Sequence, residues 1–85
     1  MTPPYPEPAV EKRIRARFAA RLRDRQADLL LGDAELQALV DGMRFLATSG
    51  RPRFQIVAYF LPSDDVMIEA DRAVDDVLAE EDPQQ

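Results

Sequence analysis

The stretch Arg53–Leu61, RFQIVAYFL, decides how this chain is read. It is the most apolar run in the sequence, it holds three of the six aromatic residues (Phe54, Tyr59, Phe60), and Pro52 and Pro62 fence it at either end. Phe, Ile, Val and Tyr favour a pleated, packed surface, and nine residues is an ordinary strand length. Its near-continuous hydrophobicity predicts burial on both faces, although a helix of two and a half turns competes, because short apolar runs carry no decisive period. No other segment is comparably β-rich. A strand at 53–61 is therefore expected to find its partner in another molecule.

Two helices are expected before it. From Ala9 to about Leu31, Val10, Ile14, Phe18, Leu22 and Leu29 recur at helical spacing on one face, and Gly32 suits the end. From Ala34 to Thr48, Leu36, Leu39, Val40, Met43, Leu46 and Ala47 share a face, with Asp33 as expected N-cap and Gly50 past the end. Gly42 inside that helix points to a close helix contact, since an interior glycine costs about 1 kcal/mol relative to alanine. The short link at 32–33 predicts an antiparallel helix hairpin. After the strand, Ser63 is a suitable N-cap for a last helix whose apolar face carries Val66, Met67, Ala70, Ala73, Val74, Val77 and Leu78. The expected fold is mostly α with a minor β part: a two-helix hairpin, one short strand and a C-terminal acidic helix (α-α-β-α), the strand paired across a dimer.

The 85 residues allow one domain. Residues 1–8, with four prolines, are expected to be a disordered arm, residues 9–81 a single small helical domain, and residues 82–85 a disordered tail. Pro3 to Pro6 match the outline of a P-x-x-P ligand, but a solvated tail is the expected reading. A domain of this size buries only about 60% of its unfolded surface, and without cysteine no disulfide supports it, so oligomerisation is the expected supplement.

Net charge is −5, but its distribution matters more. From Lys12 to Arg25 seven basic residues face one acid, giving +6; from Asp64 to Asp82 nine acids face Arg72, giving −8. Arg13, Arg17, Arg21 and Arg25 thus form either a charge-pairing face or a nucleic-acid face, and Glu69, Asp71, Asp75 and Asp76 form an acidic rim that the first of these readings would use. The cations wind around much of their helix and no aromatic platform accompanies them, which favours charge pairing with the last helix.

Histidine and cysteine are both absent, which removes the commonest general base, the usual nucleophile pairs and most transition-metal sites. The three glycines are scattered and form no phosphate loop. The expectation is therefore no enzyme, no catalytic residue, no metal and no cofactor. No run approaches the ~20 apolar residues of a membrane-spanning helix, and the start lacks the pattern of a secretion signal, so a cytoplasmic protein is expected. Ten arginines to one lysine suggest a GC-rich bacterial or phage gene.

These readings converge on a small, non-catalytic protein–protein interaction module, such as an adaptor, an antitoxin or immunity-like protein or a phage-type inhibitor. Homodimerisation is expected, with Phe54, Ile56, Ala58, Tyr59 and Phe60 as interface. One alternative is a DNA-binding regulator acting through the basic first helix. The other is strand addition of residues 53–61 to a different protein.

Overall fold

The structure, a computed structural model, describes residues 7–46 and 53–81. The expected arm (apart from Glu7 and Pro8), the expected tail and the turn at 49–52 lie outside the described residues. The order of elements is α1 (Pro8–Asp24), α2 (Asp33–Asp41), β1 (Met43–Leu46), β2 (Arg53–Ile56) and α3 (Asp64–Glu81). The protein is mostly helical with a minor β part, as the sequence predicts, but the order is α-α-β-β-α.

Helix α1 starts with Pro8 in its first turn, where a missing N–H costs nothing. Ile14, Phe18 and Leu22, four residues apart, are completely buried, with Ala19 beside them. The regular helix stops at Asp24, earlier than the apolar spacing predicts, yet helical turns carry on to Leu29. The end is a Schellman motif: Leu31 N–H donates to Gln26 O (3.1 Å) and Leu30 N–H to Ala27 O (3.2 Å). Leu30 takes the left-handed position of that motif (φ 56°), a place usually given to glycine.

Gly32, not Asp33, is the N-cap of α2. Its N–H donates to Glu35 Oε1 (2.8 Å), the return half of a capping box; glycine has no side chain to supply the other half. Helix α2 ends at Asp41, and Gly42 starts a sharp change of direction. The expected helix to Thr48 is corrected here. Met43–Leu46 is a strand, antiparallel to Arg53–Ile56, in the register Met43–Ile56, Arg44–Gln55, Phe45–Phe54 and Leu46–Arg53. The apolar spacing of 43–46 fits a helix, but cross-strand pairing of Phe45 with Phe54 and burial of Met43 outweigh that local preference.

The strand's partner therefore comes from the same chain, which corrects the expectation of a lone strand that must be completed by another molecule. Burial on both faces is corrected too. Along 53–61, Phe54, Ile56, Ala58 and Phe60 are half-buried against the core, while Arg53, Gln55, Val57, Tyr59 and Leu61 are exposed. Among the described residues there are two strands, and no element covers the outer face of the pair. The regular strand is also shorter than expected, ending at Ile56, and residues 59–60 bend.

Ser63 caps α3, its Oγ accepting from Val66 N–H (3.3 Å). Val66, Ala70, Ala73, Val74 and Val77 then close over α1, forming one core with Leu36 and Leu39 of α2 and Met43 of β1. Among the described residues, no helix is long and apolar enough to cross a membrane.

Candidate functional site

Two features of this scaffold carry polar or apolar groups beyond what the core requires. The first is the seam between α1 and α3. Arg13, Arg17 and Arg21 of α1 and its C-cap Arg25 stand four residues apart on one stripe, a repeat that drifts only slowly around a helix. Arg13 meets Glu80 (2.6 Å) and Glu81; Arg17 meets Glu80 and Asp76 (3.2 Å to the latter). Arg21 reaches Asp76 through both Nε (3.1 Å) and Nη2 (3.0 Å), and Glu69 through Nη1 (2.9 Å). Arg25 meets Glu69 at 2.7 Å. As the arginines ascend in number their partners descend, so the helices run antiparallel.

Glu69 is the inner end of this ladder. It is 1% exposed, yet both carboxylate oxygens are engaged, Oε1 by Arg21 and Oε2 by Arg25, with Arg72 4.0 Å away. Burial pushes its carboxyl upward, but the hydrogen bonds from Arg25 and Arg21 outweigh this and hold it below the usual carboxylate range. The hydrogen bond from Arg17 likewise holds Glu80 below that range, and Glu80 and Asp76 in turn raise Arg17. Arg25 is raised by its hydrogen bond to Glu69.

Of the acidic rim expected from sequence, Glu69 and Asp76 lie on this seam. Asp71 and Asp75 lie on the exposed side of α3, where Asp71 lines a groove of about 410 Å³ with Leu46, Arg53, Phe54 and Met67. Glu80 and Glu81 join the ladder. The spacing in the sequence already sets Glu80 on one edge of the apolar face with Glu69 and Asp76, at intervals of seven and four, and Asp71 and Asp75 on the other; it gives no such signal for Glu81.

The second feature is the outer side of the hairpin and the chain that follows it. Gly42 seats this region. A Cβ there would stand 2.1 Å from Val57 O, and Val57 N–H donates to Gly42 O at 2.8 Å, so the backbones approach as only glycine permits. The close approach expected at Gly42 is thus to an extended segment and not to a helix. Beyond it, Val57, Tyr59 and Leu61 are 58%, 74% and 93% exposed. They alternate with Ala58 and Phe60, which pack inward, and together with Ile56 and Pro62 line an open groove of about 430 Å³. Tyr59 also sets its ring edge-on to Phe60, with centroids 4.8 Å apart. Of the five interface residues expected from sequence, Tyr59 faces outward, while Phe54, Ile56, Ala58 and Phe60 serve the chain's own core. Val57 and Leu61, outside that expected set, share the outward parity of Tyr59.

Comparison with protein-family models, curated proteins and solved structures finds no match for this chain.

Proposed function

We propose that this protein is a small non-catalytic interaction module that binds another protein chain through the outward strip Val57, Tyr59 and Leu61. The observation that carries the reading is the exposure of these three large apolar side chains on alternate positions of one extended segment. Side chains of this size left in water side by side, and not scattered singly, mark a contact surface. Tyrosine adds a large rigid contact area with a polar tip, a combination favoured at protein interfaces.

The charge distribution supports this reading over a nucleic-acid one. The arginines of α1 that would meet phosphates are engaged by carboxylates of α3. Recruiting them would require breaking the ladder and exposing those acids to a polyanion.

The test compares the wild-type chain with Tyr59→Asp/Leu61→Asp. Both positions are exposed, so the variant is expected to keep its circular dichroism and melting temperature. Affinity capture from the source cell should recover a different protein with the wild-type chain and not with the variant. A wild type that recovers no other protein, or a partner that the variant recovers equally well, would overturn the reading. Mixed-sequence duplex DNA titrated at low salt should show no binding.

A further inference from the structure

The two edges of the hairpin are not alike. Val57 N–H bonds to Gly42 O, so the alternation of an antiparallel ladder makes Arg44–Gln55 a bonded pair. It leaves the N–H and C=O groups of Met43 and Phe45 on one edge, and of Phe54 and Ile56 on the other, pointing away from the ladder. Helix α1 covers part of the β1 edge: Arg15 Nη2 donates to Met43 O at 2.7 Å, and its guanidinium lies 5.6 Å over the ring of Phe45. Among the described residues nothing comparable covers the β2 edge: no further backbone group bonds to Phe54 or Ile56, and a groove lined by Leu46, Arg53, Phe54, Met67 and Asp71 opens at that end of the hairpin.

We infer that the β2 edge pairs, antiparallel, with the β2 edge of a second copy of this chain about a two-fold axis through Gln55, building a four-stranded sheet in the order β1-β2-β2-β1. This edge is complementary to itself. A two-fold axis at Gln55 sets Phe54 of one copy opposite Ile56 of the other and the reverse, so all four outward groups on each copy find partners. On the outer face Gln55 then meets Gln55 and Arg53 meets Val57, so no like charges are opposed. The chain's net charge of −5 does not stand in the way, because residues 43–46 and 53–57 contain Arg44 and Arg53 and no acid. The ladder is short, with fewer residues than the ~800 Å² per partner of a standard interface calls for, so the dimer is weak. The inference concerns the strand edge; of the outward strip only Val57 lies beside it, and Tyr59 and Leu61 stay free for another partner in the dimer.

Light scattering of the full chain over a concentration series, with amide NMR at each end of the series, tests it. The wild type should dimerise with shifts centred on Phe54–Ile56. Gln55→Glu and Gln55→Lys, each placing like charges on the axis, should weaken the dimer about 5-fold, and an equimolar mixture of the two should restore it. Because Gln55 is exposed, each variant should keep the wild-type melting temperature within a few degrees. A wild type still monomeric at about 1 mM, or variants that dimerise as the wild type does, would overturn the inference. A dimer indifferent to Gln55 but lost in Tyr59→Asp/Leu61→Asp would also overturn it, and would leave the strip as the self-association surface.

Discussion

Leu30, Gly42 and Glu69 each occupy a position that constrains the choice of residue, and each constraint differs in kind. Leu30 is 87% exposed and held at positive φ, so its side chain gains little packing while its backbone is strained. Leu30→Gly should therefore stabilise the protein by about 1 kcal/mol, read as a higher urea midpoint at unchanged slope. Gly42 is the reverse. Its Cβ would collide with backbone, and Gly42→Ala should cost about 1–3 kcal/mol by the same measurement. Glu69 is a matter of charge. Glu69→Gln leaves Arg21 and Arg25 facing a neutral amide in a buried place, at about 1–3 kcal/mol at neutral pH, the lower part of that range being favoured by the partial exposure of both arginines. Glu69 and Glu80 bind protons more weakly folded than unfolded, so their contribution is complete above the unfolded value of 4.5 and is lost as the pH falls through their lower folded values. Urea midpoints should be flat from neutral pH to about 5 and fall below 4.5, and Glu69→Gln should shed part of that acid loss. In the sequence Glu69 was legible as one acid among several. Its burial was not, because nothing in the local pattern says which acid of a charged stripe lies innermost.

At the scale of elements, the sequence is most informative where one period dominates. The stripes Ile14–Phe18–Leu22 and Val66–Ala70–Ala73–Val74–Val77 place α1 and α3 and turn their apolar faces together, and the opposite charge of the two segments points to their pairing. The reading falters at 43–46. Met43 and Leu46 fit the face of α2 as well as they fit a strand, and only the pairing with 53–56, a long-range contact, decides between them. With 43–46 read as helix, 53–61 looks solitary and doubly buried. The ladder leads to a sharper charge-reversal experiment than the sequence allowed. Arg17→Glu/Arg21→Glu should lower the melting temperature by several degrees. Adding Asp76→Arg/Glu80→Lys should recover part of that loss, whereas Asp71→Lys/Asp75→Lys, on the other side of α3, should recover less. Equal rescue by both pairs would contradict the geometry of the ladder.

The molecule as a whole divides its labour. One side is a helix seam where charge selects the antiparallel register and apolar burial supplies cohesion, leaving its arginines committed to carboxylates of the same chain. The other side is a hairpin covered on one face, with one partly covered edge, one open edge and an apolar strip running on from it. Among the described residues, the run of large exposed apolar side chains Val57, Tyr59 and Leu61 lies on that second side. It depends on Arg53–Ile56 being completed from within the chain, which sets Val57, Tyr59 and Leu61 facing outward, free for contact. The most direct test is the pattern of Hα–Hα nuclear Overhauser contacts in a sample mixing isotope-labelled and unlabelled chains, filtered to separate contacts within a molecule from those between molecules. In antiparallel sheets the non-bonded pairs bring Cα atoms to about 4.5 Å, so Met43–Ile56 and Phe45–Phe54 should give strong contacts within one molecule. Helical contacts across 43–46, or Phe54 and Ile56 meeting only their counterparts in another chain, would contradict the account.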